Sequence, residues 1–367
     1  MRLVYLSETP LPSRMANSVH VMKMCQAFAA LGHEVTLIAV DNRAQEPGAD
    51  DLFTYYGVRE NFRLVTLPFP RVKGGWLAYA FRSARMAVGL EPELLFGRYL
   101  RGLFFTWLLG QRPVLETHLP PARLDSLSLG MFRLMERWGG FRLLVVISQA
   151  LKGMVEAQCS ARPVLAAHDG ADPPPAGQEA EPLSGGFPVG YFGSLYPGRG
   201  IELILELARL APWAQFHLVG GREQDLQRWL QSPAPPNLTL HGFVPPARAL
   251  ALQRGCRALL MPYQRRVNVP GLGDTSLWMS PLKMFEYMAS GAAIVSSDLP
   301  VLREVLADGV NALLAPPDDP SAWARALARL RDDPGLARGL AQRARRDLEE
   351  RYTWKRRAAS ILAALGY

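Results

Sequence analysis

The chain reads as an α/β protein of two domains, each built on a parallel sheet. Short apolar runs of β type alternate with amphipathic helical stretches, the pattern that parallel strands joined by helical crossovers produce. At 367 residues, the chain is longer than a single core usually fills. Between two such alternating series, residues 172–186 carry Pro173, Pro174, Pro175 and Pro182 among glycines and acids, the composition of a linker.

The first domain is expected over residues 1–171. It starts with a strand from Leu3 to Ser7, a loop to about Asn17, a helix to Leu31 and a strand from Val35 to Val40. Later strands are expected from Leu94 to Phe96, Val114 to Glu116 and Leu143 to Ile147. The second domain, residues 187–350, restarts with a strand from Val189 to Phe192 and a helix from Ile201 to Leu210. Further strands run from Gln215 to Val219, Leu238 to Leu240, Ala258 to Met261 and Ala293 to Ser296. Residues 351–367 end in a helix from Trp354 to Leu365.

Composition narrows the function classes. With 49% hydrophobic and 20% charged residues, the chain is ordinary for a soluble globular protein. Cys25, Cys159 and Cys256 lie far apart with no C-x-x-C pair, which argues against a disulfide framework or structural zinc. The opening MRLVYLSETP enters a strand pattern directly, and no stretch approaches the roughly 18 to 20 apolar residues of a membrane span. A cytoplasmic location is expected. The net charge is +8 and only five of the 41 basic residues are lysines; the arginines are scattered without a nucleic-acid-binding signature, so no nucleic-acid partner is expected. From Trp76 to Trp107, aromatics interleave with Arg82, Arg85, Arg98 and Arg101. Two readings fit this segment: a packed aromatic core with a solvated basic face, or a peripheral contact with an anionic membrane surface.

The stretch SPLKMFEYMASG, from Ser280 to Gly291, carries the most chemistry. Ser280 suits an N-cap, Pro281 the first helical position and Gly291 the residue beyond the helix end, so a helix from about Pro281 to Ser290 is expected. A helix N-terminus attracts anions, and Lys283 and Glu286 lie three apart on one face. Phosphate at the Ser280, Pro281 and Leu282 end and ribose hydroxyls on Glu286 would use both. After the strand at Val189, the turn Gly193-Ser194-Leu195-Tyr196-Pro197-Gly198-Arg199-Gly200 can bring Arg199 to the same phosphates.

These residues, with Ser13 and Ala16-Asn17-Ser18-Val19-His20, "VLETHLP" around His118, "HDGAD" from His168 and "YTWKRRA" from Tyr352, resemble the retaining, GT-B-fold glycosyltransferases of family 4, in a subgroup with an SPLK-x-x-E signature. The resemblance implies two facing Rossmann-like domains with a cleft between them. The donor, a nucleoside-diphosphate sugar, would bind mainly in the second domain, and a glycan or lipid-linked acceptor in the first. It assigns catalytic roles to His118, Arg199, Lys283 and Glu286. It places donor-binding roles on Asn17, Ser18, Gly193, Ser194, Gly220, Gly221, Phe243, Val244, Ser280, Pro281 and Leu282, and it implies that residues 351–367 cross back to the first domain. It also implies retention at the anomeric carbon, with a place in envelope or exported polysaccharide synthesis, at the inner face of the membrane.

Two positions depart from the pattern. Ser194 stands where relatives carry a first basic residue of the loop, and Trp278 stands eight before Glu286, where many carry a glutamate that meets the donor sugar; Asp274 is a candidate substitute. No Asp-x-Asp or metal-ligand spacing of histidines occurs, so neither a metal nor an organic cofactor is expected, and protein groups must neutralise the diphosphate. Absence of G-x-S-x-G, Walker A and G-x-G-x-x-G motifs argues against a serine hydrolase, a P-loop NTPase and a dinucleotide oxidoreductase. A catalytically silent sugar-nucleotide-binding subunit and a GT-B-like epimerase remain the alternatives.

Overall fold

The computed structural model describes residues 1–44, 51–70, 72–159, 163–174, 179–221, 224–225, 229, 234–269 and 271–367. It divides into two compact units, Met1–Asp169 together with Trp354–Tyr367, and Gly170–Thr353.

Unit 1 holds seven strands: β1 (Arg2–Leu11), β2 (Glu34–Asp41), β3 (Arg63–Leu67), β4 (Leu94–Gly97), β5 (Val114–Thr117), β6 (Leu143–Val146) and β7 (Val164–Ala166). They form one parallel sheet in the order β3-β2-β1-β4-β5-β6-β7. The central strand shows why. Leu3, Val4, Tyr5 and Leu6 are all buried, the continuous apolar run of a strand covered on both faces. β1 runs on to Leu11, past the expected end at Ser7, because a register shift between Leu6 and Pro10 absorbs the proline and pairing with β2 resumes at Pro10 and Val40. The first helix is Ala16–Ala29, with Met15 at its N-cap.

Unit 2 holds β8 (Pro188–Phe192), β9 (Gln215–Val219), β10 (Leu238–Gly242), β11 (Ala258–Met261), β14 (Ala293–Ser297) and β15 (Leu313–Ala315), in the order β10-β9-β8-β11-β14-β15. This sheet is also parallel. A separate antiparallel ribbon pairs β12 (Asn268–Val269) with β13 (Gly273–Asp274). The core of unit 2 gathers Val189, Phe216, Leu260 and Val295 from the sheet and Ile204, Leu207, Trp323 and Leu327 from helices packed on it. Of the proline-rich stretch, residues 175–178 lie outside the described residues; beyond them the Glu181 amide donates to the Ala251 carbonyl and its carboxylate pairs with Arg248.

The last helix, Trp354–Ala364, completes unit 1. Its Ala358, Ile361 and Leu362 are buried, and Trp354 meets the His20 ring edge-on at 5.2 Å between centroids. Arg357 is the anchor. Its Nη1 donates to Glu116 Oε2 at 3.1 Å and its Nε to the His168 carbonyl at 2.9 Å, both inside the unit. Burial would push the Glu116 carboxyl up, but Arg357, His20 and hydrogen bonds with both histidines outweigh it and hold the carboxyl well below its usual range. Asp169, also opposed by burial, is held down by His20.

Removing one partner of a buried pair leaves an uncompensated charge, so Arg357→Met is expected to lower the stability of unit 1 by about 3 kcal/mol. Urea unfolding measures it, and adding Glu116→Gln should recover part of the loss. Because both carboxyls titrate below their ordinary range when folded, their contribution is complete above about pH 5 and fades as the pH falls through the folded values.

Candidate active site

In unit 2, β8 is flanked by β9 on one side and β11 on the other, so successive connections lead away from it in opposite directions. A crevice opens at the carboxyl ends of such strands, the place where doubly wound sheets bind ligands. The glycine-rich turn, residues 193–200, leaves β8 there, and Tyr263 follows β11 two residues on. Gly200 has φ 78°, and a Cβ on it would meet the Pro262 carbonyl oxygen at 1.9 Å, so only glycine lets the turn lie against the chain leaving β11.

Lys283 reaches this crevice from the signature helix. Its side chain is buried, with Nζ 3.8 Å from the centre of the Tyr191 ring and 5.5 Å from that of Tyr263. A Cβ on Gly193 would come within 2.7 Å of Nζ, so the first glycine of the turn makes room for the ammonium. Arg199 lies over Tyr196 at 4.5 Å and Tyr263 at 5.1 Å, and its Nη2 donates to Tyr196 Oη. The aromatic faces attract both cations through their negative quadrupoles, and apart from the Arg199–Tyr196 bond this attraction uses no N–H group. Lys283 Nζ and Arg199 Nε have no hydrogen-bond partner among the described residues. Burial and the neighbouring Arg199 charge pull Lys283 well below the ordinary lysine range, with Glu286 opposing. An arriving phosphate would supply the missing acceptors and favour the charged form.

The helix itself begins one residue later than expected. It spans Leu282–Ser290, with Pro281 at the N-cap and Gly291 in the left-handed conformation after its end. Pro281 has ψ 127°, which is extended backbone, and the Met284 amide donates to its carbonyl; Ser280, buried, stands before the cap. Ser280 is therefore not the capping residue. Glu286 is half-buried, with Gln253 Nε2 at 3.5 Å from Oε2. Ser194 is exposed and offers its carbonyl to Tyr191 Oη at 2.6 Å. Gly220 donates to Gly242 at 2.7 Å, and a Cβ on it would meet the Gly193 carbonyl at 2.3 Å; Gly221, Phe243 and Val244 follow β9 and β10 at the same edge.

Trp278, which stands where the resemblance implies a glutamate, is buried. Asp274, the candidate substitute, uses Oδ1 to accept from the Val267 and Ser276 amides at 3.0 Å each and so ties its own loop.

In unit 1, His118 follows β5 and its Nε2 lies 2.7 Å from Glu116 Oε1. Burial and Arg98 lower its pKa to about 4 against the pull of Glu116, so the ring is neutral near pH 7, donating through Nε2 and leaving Nδ1 as an acceptor. His20 stands behind it: Nε2 is 2.7 Å from the same Glu116 oxygen, and Nδ1 is 2.8 Å from Asp169 Oδ1. His20, Glu116 and His118 are close enough to hold a metal ion. Arg357 pairs with Glu116 and Arg98 Nε lies 4.0 Å from it, so an added cation would compete with two arginines for that carboxylate. Ser18 Oγ donates to the Ser13 and Met15 carbonyls at 3.0 and 2.7 Å, which ties the loop rather than capping the helix; Asn17 Oδ1 is buried without a partner.

Residues 186–333 match the family described as Glycosyl transferases group 1. A phosphatidyl-myo-inositol mannosyltransferase of Mycolicibacterium smegmatis is 29% identical over 170 residues, which is 45% of this chain and 41% of that protein. Among solved structures, sucrose-phosphate synthase of Thermosynechococcus elongatus is 16% identical with a TM-score of 0.73, covering 99% of this chain and 98% of its own. HepE of Anabaena, in complex with UDP, is also 16% identical, with a TM-score of 0.72 over the whole of both chains. At such identity the likeness speaks for architecture alone. The chain has the GT-B fold of two Rossmann-like domains, and its second half carries a glycosyl transferases group 1 domain.

Proposed function

We propose that the chain is a retaining glycosyltransferase that moves a sugar from a nucleoside-diphosphate donor to a glycan or lipid-linked acceptor without a metal, in envelope or exported polysaccharide synthesis. The observation that carries this reading is the Lys283 amine, buried and without a hydrogen-bond partner among the described residues, at the crevice of the group 1 domain. As the glycosidic bond breaks, negative charge grows on the leaving diphosphate, and Lys283, Arg199 and the helix start at Leu282 stabilise it. Glu286 accepts hydrogen bonds from ribose hydroxyls. The leaving phosphate takes the acceptor proton on the same face, which gives retention, and neutral His118 serves the sugar as an acceptor. The UDP bound by HepE supports the donor class, and the mannosyltransferase's name supports a lipid-linked acceptor. A sugar-nucleotide-binding subunit without turnover is the second reading, favoured by the buried Trp278 and by Ser194.

A membrane contact belongs to the same proposal. Helices Gly75–Gly89 and Leu100–Leu108 expose Leu77, Phe81, Met86 and Leu108, with Arg82 and Arg85 beside them. Other members of the basic-aromatic segment are spent internally. Tyr79 and Tyr99 are buried, and Arg101 stacks 4.6 Å from the Trp76 ring centre and pairs with Asp125. The two exposed arginines would meet anionic headgroups while the apolar side chains enter the interface.

Lys283→Ala is expected to lower kcat about 100-fold with a smaller loss of donor affinity, because the cation faces charge that grows in the transition state. Glu286→Gln should act mainly on donor binding, by about 1 to 2 kcal/mol. Steady-state kinetics with donor titrations separate the two, and unchanged turnover and affinity in both would remove the assignment. Activity should also survive EDTA; complete loss restored by Mg²⁺ or Mn²⁺ contradicts metal independence. In flotation assays the protein should bind anionic vesicles and leave them as salt rises, since screening acts over about 10 Å at 0.1 M. Arg82→Gln with Arg85→Gln should weaken that binding several-fold, and equal partitioning to neutral vesicles would overturn it.

A further inference from the structure

Tyr263 is one of several tyrosines around the two cations of unit 2, and its hydroxyl differs from the others. Tyr191 Oη donates to the Ser194 carbonyl at 2.6 Å, Tyr287 Oη accepts from the Phe192 amide at 2.8 Å, and Tyr196 Oη accepts from Arg199. Tyr263 is 2% exposed, and although Arg199 lies beside it, no group among the described residues meets its Oη with the alignment of a good hydrogen bond. A buried hydroxyl without a partner is destabilising, and phenylalanine would fill the same space without that cost. The residue is also firmly seated. The Gln264 amide donates to the Gly198 carbonyl at 3.0 Å, and the Gln264 side chain spans the Pro262 and Pro317 carbonyls at 3.1 and 3.0 Å. Tyr263 thus sits where β11 ends, with its ring facing both Arg199 and Lys283, whose Nε and Nζ are unpartnered too.

We propose that the Tyr263 hydroxyl is a third donor to the diphosphate, beside Lys283 and Arg199; the inference rests on the nucleotide-sugar reading of this crevice. Burial pushes the phenol up to about 12 against the pull of Arg199, so it stays a neutral O–H at working pH. Neutrality matters here. Arg199 already disfavours a charged Lys283, and another cation would deepen that repulsion, whereas a phenol adds a hydrogen bond to the anion without adding charge. The exposed Ser194 at the head of the glycine-rich turn is consistent with this arrangement, since the loop supplies one cation and β11 supplies a neutral donor.

The test titrates the full chain with inorganic pyrophosphate, UDP and GDP by calorimetry, for wild type, Tyr263→Phe and Lys283→Ala, with Tm measured in the absence of ligand. Tyr263→Phe keeps the ring over both cations, so ligand-free Tm should be unchanged or higher while pyrophosphate and the preferred nucleotide bind about tenfold more weakly. Wild-type affinity in Tyr263→Phe together with weakened binding in Lys283→Ala would overturn the role of Tyr263 and leave the diphosphate site standing. Unchanged binding in both variants, or no binding of any probe to wild type, would overturn the site itself and this inference with it. If Tyr263→Phe folds poorly, the wild type decides: a tyrosine ultraviolet difference spectrum on adding pyrophosphate supports the contact, and a flat one overturns it.

Discussion

Parallel strands end at the same edge of a sheet, and in both units the order in which they were laid down reverses at the first strand. In unit 1 that strand is β1 between β2 and β4, and in unit 2 it is β8 between β9 and β11. The reversal leaves a gap where helices on opposite faces diverge, so backbone and side chains at the strand ends are reachable without opening the core. Gly193, Arg199 and Tyr263 stand at that edge in unit 2, and Lys283 reaches it from the helix between β11 and β14.

The two units bury charge in opposite ways. Unit 1 encloses the Glu116 carboxylate and surrounds it with Arg357, His20 and His118, so both oxygens are engaged and the group is closed to newcomers. Unit 2 encloses the Lys283 amine and the Arg199 guanidinium and faces them chiefly with rings, which lessen the cost of burial while only Tyr196 supplies a hydrogen-bond acceptor, to Arg199. A satisfied buried network holds structure together, and an unsatisfied one waits for something to bind. The contrast separates the residues that hold His118 in place from those proposed to take the anion.

Much of this was legible in the sequence. Helix Ile201–Leu210 and strands β9 and β11 have the expected bounds, because their apolar runs are long and bounded by glycine, proline or polar residues. Strands β7 and β15 were not anticipated, since three residues carry no periodicity, and β3 was missed as a half-exposed edge strand. At Pro281 local preference misled by one position, because proline fixes φ but leaves ψ free, and here ψ is extended. Glu116 was visible only as part of a strand, while Arg357 lay within the recognised "YTWKRRA" segment without any sign of its partner. Their pairing depends on long-range folding, which spacing along the chain cannot reveal. Tyr263 escaped for a related reason, since an aromatic after a strand reads as core until its hydroxyl is seen to lack a partner.

The Arg357 anchor also sets an order of assembly. Glu116 and its guanidinium partner are 241 residues apart in the chain, and the whole of unit 2 is synthesised between them. On the ribosome, domains form from the amino terminus onward, and β5 emerges with His20 and Arg98 already made but without the Arg357 guanidinium that anchors its carboxylate. Unit 2 is thus an insertion within unit 1, and unit 1 lacks its last helix until unit 2 has been translated. Of the two units, the one begun first is the one completed last.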